Sequence, residues 1–370
     1  MKLKYFLLLV CLKTGTALDS VSAELAEWAL REHFADFETR FNKFYDTLEL
    51  REEKFETFVQ NLEEMIHKNN ELHAKGLPEI HGLTEFLDWT KEEYNNWVAG
   101  VIGAKKSTNE TDVATPTIAV SSLPSSFDWR EKGVVTPVKN QLLCGSCYAH
   151  SAIESMESQF ILGGSPSKEL SVQQIVSCDT GGDDQGCNGG MYTNVWDYVK
   201  KNGGVTSAKE YPYDTATGQG DVTSCNFEQA KDIVLGTAVK KWQWATKPCD
   251  RILCTHMDED TLKANLVSYG PISIAVDASQ WSTYTGGVLT NDSCASKLKG
   301  RLDHAVQLVG YSEDAEIPYW IIKNSWDTTW GIDGYIHIAM GDNTCGIADQ
   351  AAIVFLEPAV QVPSDISAIA

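Results

Sequence analysis

The sequence predicts an α+β fold, helices early and strands late, preceded by a separate helical segment, and three observations carry that prediction. Between about Ser20 and Trp97 the chain is rich in Glu, Lys, Phe and Asn, holds no cysteine, and spaces its apolar residues helically. After Ser146, the stretch CYAHSAIESMESQFIL puts Ala149, Ile153, Met156 and Phe160 at three- and four-residue steps, which predicts a buried helix beginning at or beside Cys147. The last third carries ISIAVDA, HAVQLVGY, YWIIKNSW and GYIHIAM, β-branched, aromatic or alternating runs bounded by Gly, Pro and Asp, which read as strands.

Taken in order, the elements divide the chain. Lys2 and Lys4 precede an apolar run from Tyr5 to Leu12, with the small residues Gly15 and Ala17 behind it, the pattern of a cleaved signal peptide over 1–17. No later run of 18 or more apolar residues follows, so no membrane anchor is expected. Phe44, Leu48, Phe55, Phe58, Leu62, Met65 and Ile66 fall on or near one helical stripe. From Val98 to Ser122 the composition turns to Ser, Thr, Ala and Val, as in a linker. The boundary is placed near Leu123: 18–122 as helical segment and linker, 123–357 as the main domain, and 358–370 as a short tail with no interpretable feature.

Charge and cysteines narrow the function. With 30 Lys+Arg against 51 Asp+Glu the formal charge is −21, which excludes a phosphate-neutralising nucleic-acid surface and suits an acidic compartment. Of ten cysteines, Cys11 leaves with the signal peptide; the odd remainder, in an oxidising compartment, suggests four bridges and one thiol kept free.

Gln141 stands just before Cys144-Gly-Ser-Cys147-Tyr148, and this segment resembles the nucleophile signature of the papain-like cysteine protease family. His304 in LDHAVQLVGY and Asn324 in YWIIKNSWDTTWG follow in the family's order, somewhat farther along than the usual ~130–150 residues. The excess implies an insertion around Lys241 to Asp258, inferred to be a surface loop closed by Cys249 and Cys254. The resemblance covers Leu123 to about Phe355 and, more weakly, the preceding segment. It implies a papain-like two-subdomain fold, helical on the left and β-barrel-like on the right, with an N-terminal helical pro-domain. It further implies a cysteine endopeptidase, made as a zymogen, that hydrolyses peptide bonds through a thiolate/imidazolium pair and an acyl-enzyme.

The chemistry explains the residue types. A thiol with pKa about 8.5 is a poor nucleophile in acid, but a helix N-terminus and a neighbouring imidazolium both favour its thiolate. Cys147 and His304 supply these, and His304 then protonates the departing amine and activates water. By resemblance, the Gln141 amide and the Cys147 N–H receive the oxyanion, Asn324 orients the imidazole, and Trp326 and Trp330 shield that bond.

The resemblance implies further sites. Gly189 and Gly190 form a cleft wall whose backbone pairs with extended substrate, glycine leaving the approach open. Met191, Tyr192, Ala275, Leu302, Ala305 and Gln350 line the second pocket on the acyl side, with Asp303 beside His304 also among the substrate contacts. Apolar walls suit a hydrophobic side chain, while Gln350 leaves room for a polar or basic one. Carried over by position, the bridges are Cys144–Cys187, Cys178–Cys225 and Cys294–Cys345, with Cys249–Cys254 as the extra one. Lys54, Phe58, Asn61, Met65 and Asn69 match the spacing of the ERFNIN motif of cathepsin-L-like precursors, with Leu50 where its glutamate belongs, and Gly82, Thr84, Phe86 and Asp88 resemble the short motif after it. This implies a pro-segment that blocks the cleft until proteolysis. Asn109 and Asn291 begin glycosylation sequons. The expected partners are polypeptide substrates, the chain's own pro-segment and cystatin-type inhibitors, with no nucleic acid, cofactor or metal, in a monomer of the secretory pathway bound for the lysosome, the vacuole or the exterior.

The chain departs from the family at Tyr148, where tryptophan is familiar, at His150, where an aromatic is usual, and at Asp327, which replaces a glycine. A packed core role fits His150 better than tuning of the thiol, and a solvated loop role fits His256 better than binding of a substrate terminus. Read alone, Cys144-Gly-Ser-Cys147 is also a redox CxxC or half of a metal site, but those readings leave His304, Asn324 and the pro-segment without a role. A non-catalytic binding protein on a protease fold would not need the complete Gln, Cys, His and Asn set.

Overall fold

The computed structural model describes residues 20–101, 113–179, 182–214, 224–249, 258–291, 294 and 302–358. Residues 1–17, where a signal peptide is expected, together with Asn109, Cys254, His256 and all but the start of the tail, lie outside them. The chain forms two compact units, divided between Tyr94 and Asn95.

The first unit rests on two helices, α1 (Ser20–Arg40) and α2 (Leu48–Ala74). Thr47 caps α2 by accepting the Leu50 N–H, satisfying one of the orphan donors of the first turn. Phe55, Phe58, Leu62 and Met65 of α2 close on Phe34 and Phe37 of α1. The stripe is shorter at its start than the spacing suggests. Phe44 precedes the helix and Leu48 opens it, and these side chains are 85% and 81% exposed. The polar motif positions act as backbone clamps: Asn61 Nδ2 donates to the carbonyls of Leu87 and Trp89, and Asn69 bonds both N–H and C=O of His81. Lys54 pairs with Glu93, while buried Asp88 takes Lys43 at 2.9 Å and the Tyr45 hydroxyl at 2.8 Å.

In the second unit, α3 (Lys91–Val98), which begins just before the division, leads into β1 (Ser126–Asp128), α4 (Cys147–Leu162), α5 (Val172–Cys178), α6 (Tyr192–Asn202) and α7 (Phe227–Ala230). There follow β2 (Val239–Trp244), α8 (Glu259–Tyr269), β3 (Ile272–Val276), β4 (Val288–Leu289), β5 (His304–Ser312), β6 (Tyr319–Lys323), β7 (Tyr335–Ala339) and β8 (Gln350–Leu356). The sheet runs β2-β8-β3-β5-β6-β7-β4, with β1 added to β5. Its pairings are antiparallel apart from β4 with β7. Helices and sheet thus segregate into the α+β architecture. α4 is buried almost all round, as a helix wedged between the other helices and the sheet must be.

Two expectations change. Lys241 to Trp244 is not loop: it belongs to β2, paired with β8, and its alternation of polar and aromatic residues is strand patterning. Nor is 98–122 a plain linker, since Val98, Gly100 and Ala114 are buried and Val101 and Val113 bridge to Gly190 and Trp244. Among the described residues no helix is long and apolar enough to cross a membrane.

A buried ionic cluster fixes α4 to the sheet. Lys323, the last residue of β6, lies 2.9 Å from Glu154, and Lys139 lies 2.7 Å from Glu157, which also accepts from Thr136 Oγ1 and the Leu170 N–H. Asn324 follows Lys323, so this cluster sets where the amide stands relative to the start of α4.

Candidate active site

Cys147 is the first residue of α4, fully buried, and the one unbridged cysteine among the described residues. Cys144 is bonded to Cys187, Cys178 to Cys225 and Cys294 to Cys345; Cys249 is also bridged. Because Cys144 is held by Cys187, the CxxC redox pair has no partner thiol at Cys144. The side chain of the N-cap Ser146 makes no capping bond to the helix amides, which leaves the first of them, those of Cys147 and Tyr148, directed at the sulfur. The Ala305 N–H points at the same atom. Burial nevertheless pushes the thiol up to about 12, overriding these donors, and the Asp303 carboxylate adds to the rise.

His304 opens β5, so the thiol receives an N–H from the residue next to the imidazole. Its Nε2 lies 2.8 Å from Asn324 Oδ1. An amide oxygen only accepts, so Nε2 carries the hydrogen and Nδ1 is the basic nitrogen. Nδ1 is buried and has no hydrogen-bond partner among the described residues. Burial lowers the imidazole to about 4, against the Asn324 bond, which raises it. The ring is walled by Trp326 at 4.8 Å and by Trp281 edge-on at 5.9 Å, and Trp330 packs behind both. Trp281, unremarked in the sequence reading, thus joins Trp326 and Trp330 in keeping water from the bond.

Gln141 is buried and oriented by its oxygen. Oε1 accepts from Ser325 Oγ at 2.9 Å and Trp326 Nε1 at 3.1 Å, so the amide nitrogen faces the other way and donates to the Cys144 carbonyl at 3.1 Å. One of its two hydrogens remains for another acceptor.

The cleft wall is built from behind. The Tyr148 hydroxyl donates to the Gly186 carbonyl, and Asp184 Oδ1 accepts from Met191 N and Asn194 Nδ2. A Cβ on Gly190 would sit 2.5 Å from Asp184 Oδ1 and 2.6 Å from the Tyr148 ring. Glycine is therefore required by the wall's own packing, a reason the sequence reading did not give. Gly189 adopts φ +109°, open only to glycine.

Ala275 pairs across the sheet with both Ala305 and Gln350, which puts the three on one face. Met191, Tyr192 and Leu302 close on Ala275 and Ala305 in the same apolar cluster as Cys147, and the Tyr192 hydroxyl donates to the Gln350 carbonyl. Gln350 Oε1 is buried with no partner among the described residues. Asp303 takes the Ala278 N–H on its carboxylate.

Over the thiol lies backbone from the chain itself. Gly100 and Val101 donate N–H groups to the Asp303 carbonyl, and the Gly100 carbonyl accepts from Gly190 N at 3.1 Å. A Cβ on Gly100 would stand 2.7 Å from Cys147 Sγ and 2.8 Å from the Gly145 carbonyl. Trp97 donates to the Leu142 carbonyl and packs on Trp326 at 5.2 Å. A short run of alanine, valine and glycine gave no sequence signal for this.

His150 is a packed core histidine. Its Nδ1 lies 3.1 Å from the Ser146 carbonyl, and burial lowers it to about 3. Asp327 adopts φ +65°, which explains the glycine usual there; its carboxylate steadies the turn by accepting the Thr328 N–H. Asn291 is exposed.

Residues 123–355 match the family model described as Papain family cysteine protease, and 34–94 match the Cathepsin propeptide inhibitor domain (I29). Cysteine proteinase 15A of Pisum sativum is 37% identical over 337 residues, 87% of this chain and 85% of its own length. Cysteine proteinase 1 of Dictyostelium discoideum is 33% identical, covering 86% and 91%. Among solved structures, digestive procathepsin L 3 of the Tenebrio molitor larval midgut superposes with a TM-score of 0.73 at 27% identity, over 88% of this chain and 99% of that one. A recombinant stem bromelain precursor follows at 0.71 and 27%, over 89% and 99%.

Proposed function

Given that this chain belongs to the papain family of cysteine proteases and carries a cathepsin-type propeptide inhibitor domain, we propose that it enters the secretory pathway, is freed of its pro-segment, and then cleaves polypeptides through Cys147 and His304. The observation that carries the reading is the tautomer of His304: with Nε2–H given to Asn324, the basic nitrogen left over is Nδ1, beside the strand residue whose amide reaches the one unbridged thiol among the described residues.

The steps follow from these atoms. Nδ1 takes the thiol proton, and the thiolate, supported by the first amides of α4, attacks the scissile carbonyl. The carbonyl oxygen becomes an oxyanion, met by the remaining Gln141 Nε2 hydrogen and the Cys147 N–H. Nδ1–H passes its proton to the leaving amine; the same nitrogen then deprotonates water, which releases the acyl group and returns the thiol. Asn324 holds the ring throughout, inside the tryptophan wall.

Substrate lies extended along Gly189 and Gly190, with its second acyl-side residue over Met191, Tyr192, Ala275, Leu302 and Ala305. The unpaired Gln350 oxygen at the base favours a side chain that is long, apolar along its stem and able to donate at its tip. The bridges suit an oxidising compartment and the sequons at Asn109 and Asn291 a secretory route; the destination is the lysosome or vacuole or the exterior.

The test is a peptide-library cleavage profile of the acid-processed protein, with and without a thiol-directed epoxide, beside Cys147→Ser. Cleavage is expected to vanish with the epoxide and in the variant, and to prefer apolar or basic residues at the second acyl-side position. Undiminished cleavage by Cys147→Ser would overturn the assignment.

A further inference from the structure

Behind Gln141 and Cys147 lies a buried chain of polar groups that the steps above do not use. The Tyr213 hydroxyl donates to the Gln141 carbonyl at 2.9 Å and stands 2.6 Å from Ser146 Oγ. His150 Nδ1 lies 3.1 Å from the Ser146 carbonyl and 3.4 Å from its Oγ, and the imidazole meets the Tyr213 ring edge-on at 5.0 Å.

The proton directions in this chain are fixed by what each atom can do. The Gln141 carbonyl only accepts, so the Tyr213 proton is directed to it. Ser146 Oγ must then donate to the Tyr213 oxygen. The Ser146 carbonyl only accepts, so His150 carries its hydrogen on Nδ1. The His150 bond to the Ser146 carbonyl therefore holds Ser146 separately, from its main chain, and the hydroxyl chain runs from Ser146 Oγ through Tyr213 to the backbone of Gln141. Its far end is anchored: Asp214 N donates to Gln173 Oε1 and Ser171 Oγ to the Tyr211 carbonyl, tying the segment around Tyr213 to α5. Ser146, the residue before the nucleophile, gives its side chain to this chain and not to its own helix cap, which is why the first amides of α4 stay directed at the sulfur.

We infer that Tyr213 is a positioning residue for the oxyanion site: its hydroxyl fixes the backbone of Gln141 relative to Ser146 and so places the Gln141 amide against the nucleophile. Ser325 and Trp326 orient that amide from its side-chain oxygen; Tyr213 holds it from the main chain. His150 holds the other end of the same loop. Tyr213 touches no substrate, so its effect appears in the transition state and passes through Gln141. The inference rests on the proposed thiol-protease reading.

The experiment is a double-mutant cycle on the processed enzyme with a fluorogenic peptide. Tyr213→Phe is expected to lower kcat about tenfold with KM within about twofold, less than the 10²–10³ typical of deleting an oxyanion donor outright. In a Gln141→Ala background the same change is expected to alter kcat by under about twofold, because the group it positions is gone. An equal loss in both backgrounds, or a change confined to KM, would show a general structural role and overturn the inference. Ser146→Ala, which removes the other partner of the Tyr213 hydroxyl, is expected to give a smaller loss that cancels in the same way, and it decides the matter if Tyr213→Phe does not fold. Epoxide titration of the parent separates the two readings: a parent without thiol-dependent activity refutes the protease assignment, whereas an active parent with an additive cycle refutes only the positioning role.

Discussion

Placing a single methyl group on Gly100 tests how the precursor is silenced. The alanine Cβ would lie 2.7 Å from Cys147 Sγ and 2.8 Å from the Gly145 carbonyl, where ordinary contact begins near 3.4 Å. The backbone must back away by roughly 0.7 Å, on the scale at which packed contacts are forfeited. The groups that hold it are the N–H bonds of Gly100 and Val101 to the Asp303 carbonyl, at 2.9 and 3.2 Å, and the Gly190 N–H bond to the Gly100 carbonyl at 3.1 Å. Weakening two or three bonds at about 1 kcal/mol each amounts to ~2–3 kcal/mol. That is a rise of roughly 30- to 150-fold in the population whose thiol is uncovered. Gly100→Ala precursor, kept at neutral pH and shown by gel to be uncleaved, is expected to hydrolyse a small fluorogenic peptide faster than the parent precursor by a factor of that order. Its acid processing should also begin sooner. Equal turnover by the two uncleaved precursors, with unchanged processing, would refute the argument that this glycine seats the covering segment.

Three further outcomes follow from burial and charge. In the precursor, Cys147 is expected to resist iodoacetamide until strongly alkaline pH, since burial holds the thiol near 12, and after processing to react in mild acid; mass spectrometry of the labelled cysteine across pH checks this. Lys323→Met strands Glu154 in the interior and is expected to destabilise the catalytic unit by about 3–5 kcal/mol at neutral pH; because burial raises the Glu154 carboxyl, which can then take up a proton, the loss should shrink in acid, as urea unfolding at two pH values would reveal. Burial lowers His81 of the first unit to about 4 from an ordinary 6.5, so below 6.5 the unfolded chain binds a proton that the folded one refuses; stability present above 6.5 is lost as pH falls toward 4, by ~3 kcal/mol. Hydrogen-exchange protection of α2 in a Cys147→Ser precursor should fall over that window, and should fall less in His81→Gln.

The chemistry of the site was more legible than its packing, for physical reasons. The proposed chemistry asks for a thiol at a helix start and an imidazole at a strand start in a particular chain order, so Cys147, His304, Asn324 and Gln141 stand out as candidates in local motifs. β3, β5, β6 and β7 were readable because β-branched runs between turn residues leave little choice, whereas the two residues of β4 are too few to show a pattern. β8 carries little sequence signal: Gln350–Leu356 opens on a glutamine and two alanines, which are weak strand formers, and its identity depends on pairing with β2 and β3. β2 was taken for loop because the stretch was judged by its place in an apparent insertion and not by its alternation. Phe44 looked like part of a helical stripe because periodicity does not show where a helix starts, which Thr47 decides. Gly100, Trp281 and Tyr213 were silent because each acts through a neighbour distant in sequence.

Covering the site does more than obstruct it. In the closed form burial sets the thiol near 12 and the imidazole near 4, so moving the proton from sulfur to Nδ1 is uphill by on the order of 10 kcal/mol before the attraction of the new charges is counted. In water the ordinary values of about 8.5 and 6.5 leave a gap near 3 kcal/mol, which the first amides of α4 and the mutual attraction of the pair can reverse. Release of the segment at Gly100 is therefore expected to give access and, through the same admission of water, the acid–base order that the proposed attack requires. A covering segment that blocked access alone would leave an ionised thiolate beneath it, exposed to oxidation whenever the cover breathed. One that also desolvates the pair keeps the sulfur protonated and inert until it is released.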